Sequence, residues 1–530
     1  MHIVIVAGGL GSRLAPLTNC VPKFLVNIGK QTGYVEQVRY WQQSAVWEHD
    51  SLTVIVHSAY ERLVRAYHHM YFPHVPLIVK TVDVANGSAH AILSTCQHLE
   101  GESNVFFQWC DVIPRQILSV EELDQEYGGA TVIFTNHDHP NRYGVSKIGN
   151  GFYRQTELQL DGRGGVFGLY YLAKFHTSVK FTDDQDFVEV INQYGPICEH
   201  PLNSIIDFGD KPKLERTRDT ADQAREFNRV EFHGDLVLKS PVNEQGAALA
   251  VKEVAWYREL ERLESKARVP KVWSTADNSS FVMSKVCGMP VYQLWPSLDE
   301  EGRALVLTRV LEQLDLLHGT DNEDVWPEQI ADDIKTEAHD KLISRYTEIK
   351  HVIDAFGRVT SVNGRKLLDI DPTKTIQRMY TALMAEYATT ASHKYSVIHG
   401  DLQFSNSMIN PDTMEVTLID PRGYFGKTKM YGLADYDLAK LLYSLTGYDL
   451  FNYSREFHIE SIQNGEIKFT MPRPEISGCE AIVADRFKYV HKLWLAVIWM
   501  GLAGFIKNDP VKSVCAHYYG LAMAERLLTA

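Results

Sequence analysis

The sequence predicts an α/β protein of more than one domain, and three observations carry that prediction. At 530 residues the chain is longer than one core organises, since a domain averages roughly 150 residues. The first ~220 residues alternate short β-rich runs with helical patterns, as doubly wound α/β folds do. After about residue 295 the periodicity is largely helical, broken by loop and strand material at Val397–Gly426. With 45% hydrophobic and 23% charged residues, the chain can bury real cores, which excludes a disordered protein.

The elements follow in order. Ile3–Val6, Leu52–His57, Asn104–Phe107 and Thr131–Phe134 read as buried strands. The charged stretch Asp210–Asp219 reads as the exit from this first region, which is expected to span 1–222. A second pattern starts at Phe227 with strands at Val230–Phe232 and Leu236–Lys239 and a helix at Ala247–Leu263. Strands at Lys271–Trp273 and Ser280–Val286 follow, so the region 223–530 divides into a small lobe, about 223–290, and a helical lobe, about 291–530. The longest apolar run, Leu493–Ile506, falls short of a bilayer span and predicts a buried helix with no membrane insertion.

Charge and cysteines narrow the function classes. Fifty-three Lys and Arg against 67 Asp and Glu give a net −14, and no basic block is long enough for an electrostatic footprint, so no nucleic-acid partner is expected. Met1 leads directly into His2–Val6 without a basic n-region, so no signal peptide is expected. The seven cysteines are scattered and form no C-x-x-C pair, which argues against a disulfide framework or zinc site and for a cytoplasmic location.

Strand Ile3–Val6 runs into Ala7-Gly8-Gly9-Leu10-Gly11-Ser12-Arg13, and Pro22-Lys23 follows. Glycines directly after a buried strand let backbone N–H groups cradle phosphates, and Arg13 and Lys23 add the cationic charge that attack on an α-phosphorus requires. The G-G-x-G-x-R spacing excludes a G-x-G-x-x-G dinucleotide loop. The stretch resembles the signature of sugar-phosphate nucleotidyltransferases, over roughly residues 1–220. That resemblance makes Ala7, Gly8, Gly9, Gly11, Gly87 and Ser88 nucleotide-binding and Arg13 and Lys23 catalytic. It makes Asp111 and Asp207 ligands for Mg²⁺ (or Mn²⁺). Arg142-Tyr143-Gly144-Val145 and Gly164–Tyr170, with Gly168, would shape the sugar-phosphate pocket. Two features depart from the family. Gln108-Trp109-Cys110 replaces the small approach to the metal aspartate, and no Glu-Lys-Pro element can be placed, so the acceptor-phosphate lysine is unassigned; Lys147 reads as a surface lysine.

In the second region, His399-Gly400-Asp401-Leu402-Gln403-Phe404-Ser405-Asn406 has the H-x-D-x-x-x-x-N spacing of a kinase catalytic loop, and Leu418-Ile419-Asp420 ends an apolar strand at a carboxylate. Asp401 can accept the proton of an attacking hydroxyl, while Asn406 and Asp420 can hold Mg²⁺ on ATP. Upstream, Lys239 on a strand and Glu253 on the next helix supply the pair that orients the nucleotide's phosphates. The set resembles the aminoglycoside phosphotransferase and choline kinase superfamily over about residues 225–530, which implies a bilobal protein-kinase-like fold. Asp437-Leu438-Ala439-Lys440-Leu441 extends the match, with Asp437 structural. Protein kinases fit less well, since Asp420-Pro421-Arg422 replaces D-F-G and no A-P-E follows. His233-Gly234-Asp235 repeats the triplet of the catalytic loop, but Ser240 stands where Asn is required, so it reads as a turn.

A kinase makes a phosphate monoester and a nucleotidyltransferase consumes one. The two regions therefore read as consecutive steps: ATP phosphorylates a small hydroxyl compound, and a second NTP then yields a nucleotide conjugate and pyrophosphate. The resemblance favours a sugar acceptor and a precursor for capsule or other cell-surface glycan. A polyol or an amino alcohol such as choline with cytidylyl transfer, an antibiotic-modifying kinase with an accessory domain, and a degenerate kinase-like module are the alternatives. Arg422 beside the metal aspartate reads as part of a structural salt bridge, with an acidic group on the acceptor as the alternative. The base, the acceptor and homo-oligomerisation stay open.

Overall fold

The computed structural model describes the chain except residues 46, 137–142, 146–151, 155–164, 203, 222–227, 275–278, 368, 389–393, 455 and 530, and except the side chains of 143–145, 152–154 and 221. Arg142, Lys147 and Gly164 lie outside the described residues. The chain divides into two compact units, one formed by Met1–Asp222 with His351–Gly357 and Asn508–Val511, the other by Gln223–Lys350, Arg358–Lys507 and Lys512–Ala530.

The first unit carries strands β1 (His2–Ala7), β2 (Ser51–His57), β3 (Leu77–Val82), β4 (Ser103–Trp109), β5 (Val112–Pro114), β6 (Thr131–Asn136), β7 (Tyr143–Val145), β8 (Phe152–Arg154), β9 (Gly165–Lys174), β10 (Ile197–Pro201) and β11 (Ile205–Asp207). The main sheet runs β10-β6-β9-β4-β1-β2-β3. Its β3-β2-β1-β4 half is parallel, whereas β9 enters antiparallel to both β4 and β6. Ile3, Val4 and Ile5 are fully buried, as an unbroken apolar run in a central parallel strand has to be. Helices Gly33–Trp41, Glu61–Tyr71 and Gly87–Thr95 follow β1, β2 and β3 in the chain.

This topology fixes where a ligand sits. The chain leaves β1 toward β2 and β3 on one side and later returns to β4 on the other. A crevice opens outside the carboxyl ends of β1 and β4 at such a switch point. The residues just past those ends are the Gly8–Gly11 loop and Cys110-Asp111.

The second unit begins with an antiparallel sheet, β12 (Asn228–His233), β13 (Leu236–Pro241), β14 (Val272–Ser274) and β15 (Phe281–Ser284), in the order β12-β13-β15-β14. Helix Glu244–Arg262 packs on it through Ala250 and Val254 against Phe281 and Met283. Gly234 and Asp235 form the two-residue turn between β12 and β13, with His233 opposite Leu236. The second His-Gly-Asp triplet is thus a hairpin turn.

The larger lobe is helical, and the predicted apolar run lies in helix Tyr489–Phe505 with Trp494 and Trp499 fully buried. Trp494 meets Tyr436 of helix Ala434–Leu445 edge-on at 5.2 Å. Strands also occur outside the expected Val397–Gly426 stretch, where Asn322–Asp324 and Tyr431–Gly432 pair with Lys394–Val397. Ser361–Val362, Arg365–Lys366, His458–Gln463 and Glu466–Thr470 form a four-stranded sheet, closed by a turn with Asn464 at φ 52° and Gly465 at φ 76°. An Asn-Gly pair between alternating runs is a strong hairpin signal, so this element was available in the sequence.

Candidate active sites

In the first unit, Ala7, Gly8, Gly9, Gly11, Arg13, Lys23, Gly87, Ser88 and Asp111 all line one cavity of about 790 Å³. Lys23 is buried, and its Nζ donates to Asp111 Oδ2 at 2.5 Å and to the Gly209 carbonyl at 2.6 Å. The Gly209 N–H in turn donates to Asp207 Oδ1 at 2.9 Å, so Lys23 ties the turn carrying Asp111 to the one carrying Asp207. Arg13 is different. Its side chain is 61% exposed and its Nη2 stands 4.0 Å from Asp111 Oδ2, which leaves it able to swing onto an incoming phosphate.

The bulky approach to Asp111 has a structural cause. Gln108 is fully buried, accepts from the Trp41 indole at 2.6 Å and donates to the Val112 carbonyl at 2.6 Å. Gln37 Nε2 donates to the carbonyls of Trp109 at 3.0 Å and Val112 at 3.1 Å. Together they close the β4–β5 turn on which Asp111 sits. Trp109 also packs against Gly168, which the sequence places in the acceptor pocket. Gly168 has φ 87°, and a Cβ there would lie 2.4 Å from the Trp109 ring, so its glycine is explained by packing and backbone conformation. Tyr143 and Gly144 lie on β7, but their side chains are outside the described residues.

The stretch expected as a domain exit forms helix Lys211–Ala221. Its Lys213 Nζ returns to Asp207 Oδ2 at 2.7 Å, a partner that sequence reasoning missed. Asp111 and Asp207 are hard oxygen donors brought close together, since Asp207 on β11 pairs with Val112, which directly follows Asp111 of the β4–β5 turn. Among the described residues no cluster of three or more His, Cys, Asp or Glu forms a metal cage. Two carboxylates nevertheless fit Mg²⁺, which usually completes its shell with waters and substrate phosphates.

In the second unit, Lys239, Glu253, Asp401, Asn406, Asp420 and Arg422 line a single cavity of about 450 Å³. Lys239 Nζ bonds both Glu253 oxygens, at 2.9 and 2.6 Å, and Asp420 Oδ1 at 3.0 Å. Burial alone would lower the Lys239 pKa, but Asp420 and Glu253 outweigh it and raise it. Asp420 has φ 56°, a left-handed conformation that Asp tolerates better than most residues.

Asp401 Oδ1 is 2.9 Å from Lys440 Nζ. Burial pushes the Asp401 carboxyl up, Lys440 pulls it down, and the balance lies below the ordinary carboxylate value. Asn406 Nδ2 donates to the Asp401 carbonyl at 2.8 Å and to Oδ2 at 3.2 Å. That commits the amide nitrogen and leaves the amide oxygen as the donor atom for a cation, as Asp420 also provides. His399 Nδ1 accepts the Asp401 N–H at 3.3 Å while Nε2 donates to the Ile419 carbonyl at 2.9 Å, the pattern of an uncharged ring, and burial lowers its pKa. Gly400 has φ 77°, and a Cβ there would lie 2.9 Å from the Arg422 Cβ. Asp437 accepts the N–H groups of His399 and Gly400, each at 2.7 Å, and so holds the loop rather than touching substrate.

Arg422 is not a free fork. Glu337 binds both its terminal nitrogens, at 2.6 and 3.1 Å, and its guanidinium lies 3.9 Å from the Tyr424 ring centroid. The salt bridge is therefore present, although Arg422 remains on the cavity wall. Sequence reasoning missed Glu337, Lys341 and Arg345 beside it, because isolated charges in helical stretches carry no motif, and it gave Lys440 no role although it lies in the matching stretch Asp437–Leu441.

Residues 2–158 match the family model described as nucleotidyl transferase, and residues 220–457 the one described as phosphotransferase enzyme family. Among solved structures, a Bacillus anthracis protein assigned as a glucose-1-phosphate thymidylyltransferase, in complex with sucrose, is 21% identical with a TM-score of 0.37, covering 42% of this chain and 96% of its own. HddC from Yersinia pseudotuberculosis is 16% identical with a TM-score of 0.32, covering 41% and 98%. The UTP-bound UGPase from Acinetobacter baumannii is 14% identical with a TM-score of 0.33, covering 42% and 94%. No curated protein matches the sequence. Among the described residues no helix is long and apolar enough to cross a membrane. The chain is an enzyme with two transferase activities, a nucleotidyl transferase family domain followed by a kinase-type domain of the phosphotransferase enzyme family.

Proposed function

We propose that the two units catalyse consecutive steps on one small molecule in the cytoplasm. The second unit phosphorylates a sugar hydroxyl with ATP. The first unit joins the resulting phosphate to the nucleotidyl group of a second NTP, releasing pyrophosphate and yielding a nucleotide-activated precursor for cell-surface glycan. The observation that carries this reading is that every phosphoryl-transfer group of the second unit meets in one cavity, with Lys239 already paired to Glu253 and Asp420. A module degraded to mere binding has no need to keep them so arranged. Tyr436, Tyr443 and Tyr448 also line this cavity and supply aromatic surface of the kind small-molecule pockets use.

In the kinase step, Asp401 takes the proton of the acceptor hydroxyl as its oxygen bonds to the γ-phosphorus and ADP departs. Lys239 orients the α- and β-phosphates, and Glu253 fixes Lys239. In the transfer step, the loop Gly8–Gly11 cradles the triphosphate, and Arg13 and Lys23 neutralise charge as the acceptor phosphate attacks the α-phosphorus. Asn406 and Asp420 in one unit, and Asp111 and Asp207 in the other, would hold Mg²⁺ or Mn²⁺, which would supply charge neutralisation on the nucleotide phosphates.

The test is incubation with ATP, each NTP and a panel of sugars, polyols and amino alcohols, with mass spectrometry of the products. A nucleotide conjugate of a sugar is expected. Conjugates of choline or of a polyol alone would overturn the sugar assignment. Both activities are expected to require added Mg²⁺ or Mn²⁺ and to survive a zinc-selective chelator, and a zinc requirement would reject the metal assignment.

A further inference from the structure

In the kinase cavity, apart from Lys239 with Glu253 and Asp420, four cations accompany two carboxylates. Lys341, Arg345, Arg422 and Lys440 line it together with Glu337 and Asp401. The remaining lysine of the cavity, Lys239, is already offset by Glu253 and Asp420. Lys440 is taken by Asp401. Arg422 and Lys341 share Glu337, at 2.6 and 2.8 Å, and Glu337 is only 3% exposed. Arg345 Nη1 donates to the Gly501 carbonyl at 2.6 Å, and among the described residues it pairs with no carboxylate. One buried carboxylate therefore serves two cations with a third close by.

The crowding has a consequence for Lys341. Burial first, and then the neighbouring Arg422, hold its pKa down to about 7. Glu337, by contrast, is held far below the ordinary carboxylate value because Lys341 and Arg422 outweigh its burial. The cluster is short of negative charge, which is the condition an incoming anion relieves. A quaternary ammonium ligand, which the tyrosine wall alone could accommodate, would meet repulsion here.

We propose that the acceptor of the kinase unit carries an anionic group of its own, a phosphate or a carboxylate, seated on Lys341 and Arg345 while a hydroxyl of the same molecule meets Asp401. The reaction then balances as before: the hydroxyl oxygen bonds to the γ-phosphorus, the bond from that phosphorus to ADP breaks, and the proton passes to Asp401. The anchoring anion is unchanged in the product. This inference rests on the kinase reading of the second unit and deepens it by naming the substrate class.

The experiment is calorimetric titration of the full chain, saturated with AMP-PNP and Mg²⁺, with matched probes: glucuronate and glucose 6-phosphate against glucose, glycerol 3-phosphate against glycerol, and choline. At least one anionic probe is expected to bind about tenfold or more tighter than its neutral partner, the scale of a charge-assisted contact. The uronate and phosphate arms tell which anion is preferred. Arg345→Gln and Lys341→Met are expected to reduce the preference to about threefold or less, which assigns the binding to this cleft. AMP-PNP affinity reports whether each variant is folded. Neutral probes or choline binding as tightly as the anions, absence of binding by every anionic probe, or a preference that survives both substitutions overturns the proposal. If a variant does not fold, the comparison of probes on the parent chain still decides. Failure of the kinase reading itself would appear as absence of AMP-PNP binding.

Discussion

Lys440 shows how a single side chain sets the working range of a catalytic group. Its ion pair with Asp401 keeps that carboxyl below its ordinary value against the effect of burial. Asp401 must be ionised to accept a proton, so the acid limb of acceptor phosphorylation belongs below the usual carboxylate range. Lys440→Met leaves burial dominant and should move that limb of the kcat/KM profile upward in pH; a profile that loses height without moving would assign Lys440 no influence on Asp401. Lys341 gives a second prediction at this scale. The charged or titratable groups acting on it are Glu337, Arg422 and Arg345, and its charge is present below about pH 7 and lost above it. The KM for an anionic acceptor should therefore rise severalfold between about pH 6.5 and about pH 8.5, and in Lys341→Met that rise should be absent. The residues legible in the sequence were those in contiguous motifs, such as Asp401 with Asn406 or Gly8 with Arg13. Lys341, Arg345 and Lys213 were not, because each acquires a partner only through the fold.

Helix Ala434–Leu445 and the residues just after it organise the catalytic loop from below. Asp437 takes two loop N–H groups, Ser444 Oγ takes that of Phe404 at 2.8 Å, and Asp449 Oδ1 takes that of Ser405 at 3.0 Å. Asp449 is 3% exposed, and burial raises its carboxyl to about 6. The sign follows from linkage. A group whose folded pKa is raised contributes stability that is full below its unfolded value and lost as pH rises through about 6, here roughly 3 kcal/mol. Asp449→Asn keeps an oxygen for Ser405 and removes the titration. The variant's melting temperature should gain on the parent's as pH rises from about 5 to about 7.5, and a pH-independent difference would show that Asp449 does not titrate there. In the first unit, Gln37 spans the carbonyls of Trp109 and Val112, and Gln37→Leu leaves both with one donor fewer. A loss of about 1–3 kcal/mol in stability is expected, with pyrophosphate release falling and acceptor phosphorylation unchanged. Strands and helices with a clean period were legible at this scale. The antiparallel entry of β9 and the returning Lys211–Ala221 helix were not, since strand partners and helix contacts are non-local.

For the whole molecule, the order of the two units was readable because each announces itself by short motifs, while the sheet order around β1 was not. That order explains why residues as distant as Gly8 and Asp111 line one cavity: β1 and β4 are neighbours, and both chains emerge at the same edge. The two cavities use no common residue, so the two activities should be separable in the intact chain. Asp401→Ala removes the proton acceptor and should slow acceptor phosphorylation at least ~10²-fold while sparing nucleotidyl transfer to pre-made acceptor phosphate. Arg13→Ala and Asp111→Ala should do the reverse. Arg13 would contribute charge-assisted bonds as the α-phosphorus becomes five-coordinate, and Asp111 holds Lys23 and would be an oxygen ligand for the cation. Such losses reach ~3 kcal/mol, about two orders of magnitude in rate. Given ATP, a second NTP and the acceptor, the Arg13→Ala/Asp111→Ala double variant should accumulate the phosphorylated acceptor, where the parent converts it to a nucleotide conjugate. Phosphorus NMR follows both species in one reaction. Undiminished conjugate from either single variant would remove that residue from the site, and loss of both activities in a folded Asp401→Ala chain would mean that the two cavities do not work independently.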